Sequence, residues 1–153
     1  MKSAKTIFRQ HLKEKGLLCS KQREQILAAF IKTRNHPTVD NLYNTIKKKD
    51  PKIGLATVYR TMRAICDSGL AGEVDFGDGV RRFEHKFHRQ HHHHLVCIKC
   101  GRVIEVTSSQ IENLQKKLAE QYDFATTRDT MKIFGLCSKC QRNGNKTHTQ
   151  SVR

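Results

Sequence analysis

A chain of 153 residues has room for one domain of ordinary size or two small ones. Only 37% of it is apolar and it has no Trp, so two small cores helped by a metal or a partner subunit fit better than one large core. The formal charge of +15 points to an anionic partner, nucleic acid before an acidic membrane surface, although a basic protein can also lack such a partner. No apolar run is long enough to span a bilayer, and the stretch MKSAKTIFRQHLKEKG lacks the apolar core of a signal peptide, so a cytoplasmic protein without a membrane role is expected.

Residues 20 to 70 read as three helices. Ser20 is placed to cap the first, with Ile26, Leu27, Phe30 and Ile31 as its apolar stripe. Thr38 can cap the second, where Val39, Leu42, Tyr43 and Ile46 repeat at helical spacing. LATVYRTMRAICDSG forms the third, with Val58, Met62 and Ile65 inward and Gly69 as its stop. AGEVDF and VRRFEH then flank a glycine-rich turn and read as a β-hairpin. Three helices followed by a hairpin is the pattern of a winged helix-turn-helix.

Past a polar, His-rich stretch, LVCIKC and RVIEV look like short strands. Ile111, Leu114, Leu118 and Tyr122 make a helical stripe, and the segment from Phe124 to Phe134 reads as another strand. The expected organisation is α+β: a winged-helix domain over residues 1–85, a hinge at 86–90, a second domain at 91–140 and a disordered basic tail at 141–153. The second domain has little apolar surface of its own, and its exposed strand edge invites pairing with another copy.

Four of the six cysteines form two CxxC knuckles, Cys97/Cys100 and Cys137/Cys140. Together they supply the tetrahedral thiolate shell that Zn²⁺ prefers, with no open position for catalysis. The 36-residue gap between them means that the fold must bring the knuckles together. Cys19 and Cys66 stand alone inside predicted helices and read as small buried apolar residues. His91, His92, His93 and His94 are consecutive; on extended chain His92 and His94 share one face and His91 and His93 the other. Imidazoles joined by carboxylates suit Fe(II), Zn, Co, Ni or Mn, and the residue types do not choose among them. On the third helix, Thr57, Tyr59, Arg60 and Arg63 lie opposite the core stripe, where Arg can read guanine and Tyr or Thr a thymine methyl.

The run GLATVYRTM, the HxHLxCxxCGxxIE run from His92 to Glu105 and the late CxxC together resemble the ferric uptake regulator family, in that family's order, over about residues 10 to 140. The resemblance implies a homodimer, with tetramers left open, in which winged-helix domains bind DNA and C-terminal α/β domains dimerise. It implies a structural zinc on Cys97, Cys100, Cys137 and Cys140. Its regulatory metal pattern falls on His36, Glu84, His92, His94 and Glu105, and a further site on His91, His93, Glu112 and Asp129, where His and Asp have traded places. Tyr59 and Arg60 become DNA contacts in the recognition helix and Arg23 a phosphate contact; Leu18 replaces a lysine often used in the minor groove.

The implied function is a metal-dependent transcriptional regulator, mainly a repressor, acting on palindromic AT-rich double-stranded DNA. Peroxide sensors of this kind tend to carry Asp at the positions of Glu84 and Glu105. Two Glu residues point to Fe²⁺ as effector, with Mn²⁺ or Zn²⁺ able to substitute. The rivals are a zinc-responsive regulator and a zinc-stapled DNA-binding protein without metal switching. A hydrolytic metal centre would need a general base that nothing in the sequence supplies, so an enzyme is not expected.

Overall fold

The computed structural model describes residues 2–33, 36–87, 92–127 and 129–142. The chain divides into two compact units, Met1–Arg89 and Gln90–Arg153.

The first unit contains α1 (Ala4–Glu14), α2 (Lys21–Lys32), α3 (Val39–Lys47), α4 (Leu55–Asp67) and the antiparallel hairpin of β1 (Ala71–Val74) and β2 (Arg82–His85). The helix starts follow from local capping. The Ser20 hydroxyl accepts from the Arg23 N–H at 3.3 Å. Thr38 and Asn41 close a reciprocal capping box through two 3.1 Å hydrogen bonds, satisfying two backbone donors that would otherwise be orphaned. Gly69 adopts φ +78°, the left-handed conformation that lets α4 end and the chain turn into β1. Phe8, Leu12, Ile26, Phe30, Leu42, Ile53, Val58, Met62 and Ile65 are buried together as one core. In the wing turn, Arg82 makes a bidentate pair with Asp78 at 2.7 and 2.8 Å, which with the Val80 N–H holds the Asp78 carboxyl down at about 2.

α1 was not among the sequence-predicted helices, although Ser3 caps it and Ala4, Phe8 and Leu12 recur every fourth residue on its buried face. Glu24 fastens it to α2 by pairing with both Lys5 and Arg9. Cys19 departs from expectation: it lies in the loop ahead of the Ser20 cap and is exposed, because α2 starts only after that cap. Cys66 is helical, in α4, and half-buried.

The second unit has a three-stranded sheet in the order β4–β3–β5, formed by β3 (His93–Cys97), β4 (Val103–Val106) and β5 (Lys132–Gly135). β3 is antiparallel to β4 and parallel to β5. Helix α5 (Ser109–Gln121) precedes β5 and the short α6 (Ser138–Arg142) follows it. The expected strand from Phe124 to Phe134 is strand only from Lys132. α5 closes instead in a left-handed turn at Asp123 (φ +49°), with the Phe124 N–H returned to the Ala119 carbonyl, so the chain leaves the helix as a loop. α5 buries no residue within this chain: Leu114, Leu118 and Tyr122 are exposed, as are Ile133 and Phe134 of β5. Most of the predicted hinge and residues 143–153 of the predicted tail lie outside the described residues. No described helix is long and apolar enough to cross a membrane.

Candidate metal centres and nucleic-acid interface

The parallel pairing of β3 with β5 closes the gap between the two CxxC knuckles. Cys97 is in register with Gly135, and the Ile98 N–H donates to the Gly135 carbonyl at 2.9 Å, which sets Cys137 beside Cys97. Gly101, at φ +69°, makes the first knuckle turn back toward β4. The four sulfurs lie within 4.8 Å of one another, and Cys100 Sγ is 3.8 Å from Cys137 Sγ. A tetrahedral zinc with Zn–S bonds of about 2.3 Å has S–S edges of about 3.8 Å, so the donor set fits the ion closely.

The thiols are already polarised for it. The Cys137 N–H, 3.3 Å from Cys97 Sγ, together with the Cys100 and Lys99 N–H groups, pulls the Cys97 thiol down to about 6. Cys137 is lowered chiefly by the Cys140 N–H. Cys140 is pushed up to about 12, first by its hydrogen bond with Cys100 and then by burial. Zinc binds the thiolate form, which the backbone N–H groups around Cys97 and Cys137 favour. Zinc on these four cysteines staples the end of β5 to the end of β3.

Each unit contributes its own close pair of donors. In the first unit, a His36 nitrogen and a Glu84 carboxylate oxygen approach within 4.8 Å. The Phe83 N–H donates to the Pro37 carbonyl at 2.9 Å and ties β2 to the segment bearing His36, whose ring packs edge-on against Phe76 at 5.0 Å. In the second unit, ring nitrogens of His92 and His94 lie within 4.8 Å, with ring centroids 4.9 Å apart. Glu105 faces His94 directly across the antiparallel ladder and is exposed. Of the additional set, His91 lies outside the described residues. His93 is fully buried in β3, Glu112 is half-buried in the first turn of α5, and Asp129 is half-buried before β5.

On α4, Tyr59, Arg60 and Arg63 are exposed and Thr57 is half-buried, opposite the buried Val58, Met62 and Ile65. Arg23, in the first turn of α2, is half-buried and donates from Nη1 to the Leu18 carbonyl at 3.0 Å. Sequence reasoning passed over Arg81. From the wing it donates to the Tyr59 hydroxyl at 3.4 Å and pairs with Glu73 at 3.4 Å, bordering a groove of about 360 Å³ shared with Arg63 and Cys66. The paired arginines of VRRFEH at the start of the returning wing strand were the available signal. It also passed over His85, in β2.

A winged helix-turn-helix unit, followed by a sheet unit stapled through four cysteines, defines the class as a DNA-binding protein with a structural zinc. Residues 14–134 match the ferric uptake regulator family, and the chain belongs to that family of metal-responsive transcriptional regulators, which bind DNA and form dimers. The peroxide-responsive repressor PerR of Staphylococcus epidermidis is 32% identical over 88% of this chain and 88% of its own length. The ferric uptake regulator of Helicobacter pylori, whose structure is described as revealing three functional metal-binding sites, superposes with a TM-score of 0.82 at 27% identity, over 92% of this chain and 95% of that one. The Vibrio cholerae regulator superposes at 0.70 with 35% identity, over 84% and 98% respectively.

Proposed function

We propose that this chain is an Fe(II)-responsive repressor. His36 and Glu84 from the first unit, with His92, His94 and Glu105 from the second, are its regulatory ligands. The observation that supports it is the split donor set: each unit offers only a fragment of a coordination shell, and a first-row ion takes four to six donors. A metal satisfied by both fragments favours one arrangement of the two units, the one that matches recognition helices to successive major grooves of a palindrome. Tyr59, Arg60, Thr57 and Arg63 then meet base edges and Arg23 a phosphate. On this reading residues 1–85 bind DNA, 86–90 form the hinge and 91–140 carry dimerisation, in the cytoplasm.

The test is fluorescence anisotropy on an AT-rich palindrome, at fixed salt and without oxygen, using protein that keeps its structural zinc but has lost exchangeable metal. Binding that appears on adding Fe(II), at lower concentration than Mn(II) or Zn(II), and that vanishes in the His92→Ala/His94→Ala double variant supports the proposal. Equal binding with and without added metal overturns it. The likeness to peroxide-responsive repressors gives a second reading, in which peroxide acts through the bound iron. It is favoured if stoichiometric peroxide abolishes binding of the Fe(II) form but spares the Mn(II) form. Glu rather than Asp at 84 and 105 argues for the first reading.

A further inference from the structure

β2 carries Glu84 between two ties, one to Pro37 beside His36 and one to the end of α2. On one side is the bond from the Phe83 N–H to the Pro37 carbonyl, at 2.9 Å. On the other, the His85 ring donates from Nε2 to the Thr33 carbonyl at 2.8 Å. Thr33 is the C-cap of α2, and carbonyls at a helix end need a partner from outside the helix. The same imidazole stacks on the fully buried Phe30, with centroids 4.2 Å apart and planes 24° from parallel. His85 thus joins β2 to the last turn of α2, immediately before the stretch that bears His36.

Side chains alternate along a strand, so Glu84 and His85 leave β2 on opposite faces and His85 is not itself beside the Glu84 carboxylate. The Glu84 side is equally prepared. Its ladder partner is Gly72, where an added Cβ would lie 3.3 Å from Glu84 Oε1 and would collide with Lys86 Cε. The missing side chain leaves that carboxylate its space.

We infer that His85 is a positioning residue for the regulatory metal: its bond to the Thr33 carbonyl and its stack on Phe30 hold the Glu84 carboxylate at a fixed reach from the His36 imidazole, so that the first unit presents a preformed two-donor half-site. The inference rests on the assignment of His36 and Glu84 as ligands. Without His85, the hydrogen bond from β2 to the end of α2 is lost, while the Pro37 tie and the β1 ladder remain. Groups that orient metal ligands act on affinity although they never touch the ion.

The experiment titrates Co(II) into protein that retains its structural zinc, reading the visible d–d band, with apo-protein melting recorded in parallel. It compares wild type with His85→Phe, which keeps a stacking ring but has no donor, His85→Gln, whose amide can still donate to Thr33, and His36→Ala. The expected result is Co(II) affinity about tenfold weaker or more in His85→Phe, within about threefold of wild type in His85→Gln, and strongly reduced in His36→Ala. Wild-type affinity in His85→Phe alongside a loss in His36→Ala overturns the positioning role alone. Wild-type affinity in both overturns the ligand assignment with it. Equal losses in the Phe and Gln variants also overturn it, since the donor would then be irrelevant. If His85→Phe melts too early to titrate, His85→Asn replaces it: its amide is too short to reach Thr33, so loss in Asn with retention in Gln supports the role and parity refutes it.

Discussion

Removing the structural zinc should unfold the second unit and leave the first standing. The first unit is held by a continuous core from Phe8 to Phe83. Among described residues of the second unit, the buried apolar side chains are Val96, Cys97 and Cys140, and two of these are zinc ligands; α5 contributes none. Full burial of an aliphatic side chain stabilises by about 1.5–3 kcal/mol. Val96 and its half-buried neighbours therefore supply several kcal/mol, whereas a structural zinc in a small domain supplies about 10–16 kcal/mol at pH 7. The metal outweighs the packing. The assay is amide hydrogen exchange read by mass spectrometry, segment by segment, on Cys137→Ser and on wild type after chelation. Protection of β3, β5 and α5 should collapse while that of α2 and α4 persists. The dimer is a competing source of stability, so the exchange is repeated across a wide range of protein concentration. Undiminished protection in β3 and β5, after metal analysis shows the zinc gone, would refute the reasoning.

Four other outcomes follow from the geometry. Phe8→Ala should destabilise the first unit by about 3–5 kcal/mol in urea melts, because this fully buried ring is the main anchor of α1. Arg60→Ala should weaken operator binding by about 1–3 kcal/mol and relax discrimination at one base pair, read by anisotropy against single-base variants of the site. The Asp78 carboxyl, held at about 2 against its ordinary 3.8, adds stability that is complete above its unfolded value and is lost as pH falls through the folded one. Thermal melts of Asp78→Asn should therefore lose part of the wild-type dependence between about pH 4 and 2, since Arg82 then has no carboxylate at position 78 at any pH. Burial pushes the Cys66 thiol up to about 11, so iodoacetamide at pH 8 should modify the exposed Cys19 well before Cys66, as peptide mapping would report.

The parts of the fold legible in the sequence are those fixed by local chemistry. Ser20, Thr38 and Gly69 mark helix ends by hydrogen bonds and backbone conformations reaching no further than a few residues, so their types alone disclose them. α1 carried the same signals in Ser3, Phe8 and Leu12, but they are sparse in a stretch dominated by Lys, Arg and Gln. Cys19 was misplaced because one residue beyond a cap changes a thiol from helical and buried to exposed loop. The segment after Phe124 failed for a different reason: its apolar residues read as strand, yet a left-handed residue at Asp123 redirects the chain. The knuckle pairing was legible as chemistry, since four thiols at CxxC spacing imply a common ion. The device that unites them, parallel pairing of β3 with β5, is a non-local contact that no short window contains. His85 lay beyond reach for the same reason, its partners Phe30 and Thr33 being set by tertiary packing.

Two metals can serve one such chain without exchanging places because the donor sets differ in kind. Four thiolates on a closed tetrahedron favour zinc and leave it no open position, and the backbone N–H groups that lower Cys97 favour the thiolate form the ion needs. Imidazole and carboxylate donors are harder and bind more weakly, and here each unit holds only part of a shell. In the proposed switch the affinity of the regulatory ion therefore depends on how often both parts are presented together. A tenfold change in that population alters apparent affinity tenfold with no ligand changed. Sensitivity is then set by groups such as His85 and the hinge rather than by the ligands alone, and a sensor can be retuned without losing its metal chemistry.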